Sequence, residues 1–363
     1  MTRIPLTLTP DQIARAREAG IIPADEANAL LDAADPGAPL IGNEEDLRFL
    51  RSFSDIFITI GVVLLGLGMF AVSEAVDPRG FGWGLLGAAG LFWLLSEYFG
   101  RVRRAHLPTL MLSLAFALAL GGALFQLFAD RFVSVGTIGA DWFVPAALFL
   151  LGMGFYYWRV RLPFCMALLA WGVVAFVFGV AGSLGLLPNL WAVIALVLVC
   201  VAGVETAALL YDIRDPERER RFSDNGFWLH TVASPLTLLA LMGLGAKITL
   251  GDSLSALEDL ARIRDDVDGL AVWMAAVIVA SILWGLAVNR RVFVVSTLAY
   301  ALAVIVWALT RLDFDGGLVT GLALFGVGGA VVLLGVGWHP ARRMLLRALP
   351  TWPIFPRPAR TDI

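Results

Sequence analysis

The sequence predicts an all-α fold: a polytopic bundle of about ten transmembrane helices with a small soluble helical hairpin at the N-terminus. Three observations carry that expectation. Apolar residues make up 59% of the 363-residue chain, charged residues only 16%, and mean hydropathy is +0.81, well outside the soluble mix. The apolar residues gather into repeated, nearly uncharged runs of around 20, long enough for a helix to cross roughly 30 Å of hydrocarbon. The runs are continuous and do not alternate, which excludes a β-barrel.

Residues 1–46 are too polar for the bilayer and read as a hairpin of two short helices. Thr9, Pro10 and Gln12 suit a helix start, and Gly20 breaks that helix. Ala27, Leu30, Leu31 and Ala34 then share one face of a second, amphipathic helix. Three arginines stand against nine carboxylates here, a net charge of −6 that argues against a nucleic-acid partner. Two uses fit the hairpin: an inert polar cap, or a docking surface for a cytoplasmic protein partner. The polar start also lacks the pattern of a cleaved signal, so the first apolar run reads as a retained anchor.

Residues 47–339 hold the ten expected spans: 56–76, 81–99, 107–129, 142–158, 164–182, 190–211, 227–246, 269–288, 292–310 and 318–337. Most connections are short, so consecutive helices should pack as antiparallel hairpins. With ten crossings, 21 of the Lys and Arg residues fall on one side and six on the other. By the positive-inside rule the basic side, with both termini, faces the cytoplasm of a bacterial inner membrane. Trp142, Trp158, Trp191, Trp228, Trp273 and Trp338 lie at span ends, as interfacial anchors do, and Gly317, Gly321 and the glycines after them permit close helix approach.

Two further segments lie outside the spans. The connection 247–268 carries a short surface helix, "DSLSALEDLARI", and the acidic trio Asp265, Asp266 and Asp268, which lacks the full ligand set of a calcium loop. Residues 340–363 read as a basic interfacial helix against anionic lipid, "RRMLLRALP", followed by a disordered Pro-rich tail.

Conventional catalytic signatures are missing: no phosphate loop, paired-histidine zinc helix, GxSxG elbow or complete GxGxxG. No catalytic residue, metal ligand or cofactor is therefore expected, and Cys165 and Cys200 read as small buried hydrophobes. What remains is polarity inside the spans, which is costly and so points to function. Glu74 and Glu97 lie close enough to span ends to snorkel, and Gln126 can bridge helices. Glu205 lies about 10 Å inside the sixth span, counted from Asp212 at 1.5 Å per residue. His230 lies at similar depth in the seventh, so the two side chains can meet. Such a pair either relays a proton or statically locks two helices. Ser234 and Thr237 share a face with His230, and Pro235 should kink the helix by removing a hydrogen bond to Thr231. A kinked polar stripe suits a substrate or ion site, or equally an ordinary bent helix.

The motif Arg-x-Phe-Ser-Asp occurs at 51–55 and again at 220–224, each time at the start of a span entered from the basic side. Helix capping and an interfacial arginine explain both copies; an ancestral duplication is the alternative. Together with "AREAGIIPADEANALLDA", "FSDIFITIGVVLLGLG", "SDNGFWLHTVASPL" and "GVGWHPARRMLLRALP", the pattern resembles a family of bacterial multi-pass membrane proteins classed only as a domain of unknown function. That resemblance implies an inner-membrane location and no activity. Two functional expectations follow from the residues: a conduit or transporter for a small solute or ion, or a non-catalytic scaffold or accessory subunit.

Overall fold

The computed structural model describes residues 53–76, 81–103, 105–133, 142–215, 223–250, 260–310 and 316–350, with isolated positions before and after. Contacts divide the chain into two units, Met1–Leu47 and Arg48–Ile363. In the first unit Ile13, Arg15 to Arg17 and Glu26 are helical, and the Ile21 amide donates to the Ala16 carbonyl at 2.9 Å; apart from Ile21 and Pro23, the rest of the expected hairpin lies outside the described residues.

In the second unit every described element is helical. We number them α1 (Phe53–Val76), α2 (Phe81–Ser96), α3 (His106–Val133), α4 (Phe143–Val160), α5 (Cys165–Ser183), α6 (Leu190–Arg214), α7 (Ser223–Leu250), α8 (Leu260–Val288), α9 (Val292–Thr310) and α10 (Gly316–Ala348). Eight of these are long and apolar enough to cross a membrane. Of the other two, α2 is 16 residues long before a wider π-helical turn, Glu97–Val102, continues it, and α9 offers a shorter apolar stretch, Val292–Leu302. Phe53–Asp55 of the first Arg-x-Phe-Ser-Asp copy open α1, and Ser223 and Asp224 of the second open α7; the other motif residues lie outside the described residues.

Two helices, α8 and α10, run well past the spans expected for them. α8 begins at Leu260, so the last four residues of the expected surface helix, 260–263, are the first turn of α8; residues 251–259 lie outside the described residues. α10 runs 33 residues without a break through Pro340, joining the last span to the basic segment. At 1.5 Å per residue it is about 50 Å long, more than a bilayer core needs. An apolar count ends at the first polar residues, whereas helical hydrogen bonding continues past them. The tail also departs from expectation at its near end. Phe355 is buried against Ala287 and Leu346, and Trp352 stacks on it; residues 356–363 lie outside the described residues.

Packing is mainly between neighbours in sequence, with α2 against α3, α4 against α5, α6 against α7 and α8 against α9. Among the described residues four apolar cores follow, one of them the Phe355 cluster above. Ala88, Phe92, Leu112, Phe116 and Tyr156 centre the first, among α1 to α4; Ala170, Val197, Val204, Val232 and Leu236 centre the second, among α5 to α7. Leu286, Val294 and Trp338 join α8 to α10. Small residues set the closest approaches. A Cβ on Gly179 of α5 would lie 2.6 Å from the backbone nitrogen of Phe143, so α5 meets the start of α4 backbone to backbone. Helix α7 touches α5, α6, α8 and α9, as α3 touches α1, α2, α4 and α5. By contrast α1 and α10 leave Phe57, Leu64, Leu67, Phe325, Leu333 and Val336 exposed, an apolar surface suited to lipid contact.

Polar contacts gather at one end of the bundle. Arg159 at the end of α4 donates to Glu97 at the end of α2, at 2.6 Å. Asn225 in the first turn of α7 donates to Tyr157 of α4 at 3.1 Å. Arg290, in the turn after α8, pairs with Asp212 at the end of α6. Trp338 of α10 donates to Asn289 in that same turn, and Arg342 donates to the Leu286 carbonyl. The last contact satisfies one of the carbonyls that a helix end leaves without a partner. Arg101, Arg159, Arg161, Arg290, Arg291 and Arg342 thus share the end reached by α2, α4, α6, α8 and the last turns of α10.

Candidate functional site

Glu205 and Asp212 are seven residues apart on α6, two helical turns, and so face the same way. Between them lies Ala208, completely buried and too small to fill the gap. Opposite, on α7, Gly226 and His230 are four residues apart. A Cβ on Gly226 would lie 2.7 Å from Asp212 Oδ1 and 3.2 Å from the Ala208 carbonyl. Alanine on one helix and glycine on the other let the two backbones close, and the imidazole drops between the carboxylates. His230 Nδ1 lies 2.9 Å from Glu205 Oε2, and Nε2 lies 3.1 Å from Asp212 Oδ2.

Two more elements complete the cluster. Trp284 of α8 donates through Nε1 to Glu205 Oε1 at 2.8 Å. Arg290 grips Asp212 with both arms of its fork, Nε to Oδ2 at 3.1 Å and Nη2 to Oδ1. The backbone places that arginine. Asn289 adopts a left-handed φ of 57° and the Arg290 amide donates back to the Gly285 carbonyl at 2.8 Å, closing α8 with a Schellman turn. The chain reverses there, and the guanidinium points toward α6. Phe293 of α9 sets its ring edge-on to the imidazole at 5.8 Å.

The cluster is nearly sealed. Side-chain exposure is 0% for His230, 3% for Arg290, 11% for Asp212 and 14% for Glu205. Charges removed from water this far must compensate one another, because each alone costs several kcal/mol. Arg290 compensates one of the two acids, and His230 compensates the other when its ring carries both protons. The protons can also be counted. Each ring nitrogen faces a carboxylate oxygen, and each contact needs a proton between its partners. A neutral imidazole carries one. The second sits either on the ring, as imidazolium, or on a carboxyl group.

The structure therefore brings Glu205 and His230 together, and adds Asp212, Arg290 and Trp284. Asp212 marks the edge of an apolar run in the sequence, and Arg290 looks like one more basic loop residue. The i, i+7 spacing of the two acids was the available signal; nothing local ties α8 to α6. The remaining stripe residues are not joined to the cluster. Ser234 is fully buried and its hydroxyl has no hydrogen-bond partner. Thr237 donates to its own Ala233 carbonyl at 2.8 Å. Pro235 sits inside α7, which continues through it.

A second polar pair lies in the first core, where Tyr156 donates to Ser96 at 2.6 Å and Ser96 donates to the Phe92 carbonyl. Glu97 beyond it pairs with Arg101 and Arg159 at the bundle end. Among the described residues no group of His, Cys, Asp and Glu is arranged for a metal ion. The fold and cluster define a helical bundle of membrane-protein type with a charge-compensated polar centre. No family model, curated protein or solved structure matches the chain.

Proposed function

We propose that this is a multi-pass membrane protein that conducts a small ion or solute through its helix bundle, with Glu205, His230, Asp212 and Arg290 as its polar centre. The observation that carries this reading is the fully buried His230 between two carboxylates, four ionisable groups held in the interior where packing alone would use apolar ones. Ten crossings with both termini in the cytoplasm of a bacterial inner membrane fit the chain, since one bundle end collects the arginines. Proteoliposomes test the conduit. Entrapped indicators for protons, potassium, sodium and chloride should report flux under an imposed gradient, and Glu205→Gln should cut it at least tenfold. Equal flux in both removes the site. Orientation is tested separately by impermeant thiol labelling: a cysteine at Arg218 stays protected from outside and one at Asp259 reacts.

A second reading has its own support. Both ring nitrogens and all four carboxylate oxygens of the cluster have protein partners, which suits a lock holding α6, α7 and α8 in register. The protein is then a scaffold or accessory subunit, docking a cytoplasmic partner through residues 1–46. Deleting that segment should remove a copurifying protein; an unchanged set of copurifying proteins ends the docking idea.

A further inference from the structure

The cluster is asymmetric in its counter-charges. Asp212 has a full positive counter-charge in Arg290, held bidentate in the geometry that guanidinium and carboxylate share. Glu205 has none of its own. Its other contact is the neutral indole N–H of Trp284, so among the described residues its source of positive charge is the ring of His230. Among the described residues the remaining neighbours bring the ring no further charge that titrates. α5 contributes Ala167, Ala170 and Val174 to the shared core, and α9 contributes Phe293. Asn225, one turn before the ring on α7, is engaged with Tyr157.

We propose that the conducted ion is the proton, bound between His230 Nδ1 and Glu205 Oε2; this rests on the conduit reading above. In one state the ring holds two protons and Glu205 is a carboxylate. Transfer breaks Nδ1–H, leaves that electron pair on the nitrogen and forms Oε2–H, giving a neutral ring and a neutral acid with no change in net charge. Release of that proton to water leaves Glu205 ionised beside a neutral imidazole, and the cluster with one uncompensated negative charge. Uptake reverses it. Glu205 is the exchange point, being the least buried of the four side chains at 14%. Asp212 and Arg290 act as the fixed pair that holds Nε2 protonated and so keeps Nδ1 as the variable nitrogen.

Three histidines make the test direct. In protein labelled with nitrogen-15 at histidine only, the His230 signals are those lost in His230→Gln. Wild type should show Nδ1 protonated, or averaged between protonated and bare, with Nε2 protonated. Glu205→Gln should leave Nδ1 bare and Nε2 protonated, with the His106 and His339 signals unmoved as evidence of an intact fold. In proteoliposomes with an internal pH dye, Glu205→Gln should lower proton flux at least tenfold, and Glu205→Asp should recover part of it. Should Glu205→Gln fail to fold, Trp284→Phe removes the indole donor and should shift the Nδ1 signal toward the bare form. An Nδ1 signal unmoved by these variants overturns the shared proton. Vesicles that pass potassium, sodium or chloride but not protons overturn the proton as cargo and leave the conduit standing. No flux of any of the four overturns both.

Discussion

His230 Nδ1 meets Glu205 Oε2 at 2.9 Å across the α6–α7 interface, 25 residues apart in sequence and in adjacent antiparallel helices. Three neighbours make that contact possible: Ala208 and Gly226, which let the helices close, and Arg290, which occupies the second carboxylate. Arg290 and Gly226 each have a consequence that can be measured.

Removing the guanidinium leaves Asp212 buried with the imidazole as its only charged partner. Arg290→Leu should cost about 3 kcal/mol or more, the usual penalty for breaking a buried pair. Arg290→Lys should recover only part, since an ammonium cannot fill both arms of the fork. Thermal unfolding in detergent, followed by tryptophan fluorescence, checks both, and a lysine variant as stable as wild type would contradict the bidentate geometry.

Glycine to alanine inside a helix is usually stabilising by about 1 kcal/mol. At Gly226 the sign should reverse, because the new methyl falls 2.7 Å from Asp212 Oδ1, an atom already held by Arg290. A loss of about 1–3 kcal/mol is expected, as for overpacking elsewhere. Gly203 on α6 has nothing within 4 Å of its Cβ direction and is the control. Gly203→Ala should be neutral or stabilising in the same melt.

Tyr156→Phe should cost about 1 kcal/mol, the net worth of one buried hydrogen bond, because Ser96 keeps its own donation to Phe92. Ion flux should not change. A large loss of flux would move function into the first core.

Cys165 is fully buried and Cys200 is 7% exposed. Neither should react with a maleimide in the folded protein, and both should react after denaturation, read by intact mass. Prompt labelling of Cys165 would mean that α5 does not pack as described.

Helices were legible because a membrane span needs an unbroken apolar run, and composition states that directly. Glu205 with His230 was legible for a related reason: two antiparallel helices joined by one connection place residues equally far from it at equal depth. Arg290 and Trp284 were not. They come from α8 and its turn, and which distant helix lies beside α6 depends on summed packing that no local pattern records. Thr237 illustrates the opposite error. It shares the face of His230, yet a threonine in a helix can satisfy its hydroxyl on the carbonyl four residues back, so helical spacing alone did not place it in the cluster.

Arg290 follows Asp212 by 78 residues. A ribosome adding about 5–20 residues per second needs roughly 4–16 s to make that stretch. For those seconds the nascent α6–α7 hairpin carries two acids and a single imidazole, without the arginine that balances them. Truncation anywhere before the α8–α9 turn would strand it in that condition. The guanidinium thus works as a completion mark, and chains that never receive it should be the ones a membrane protease removes.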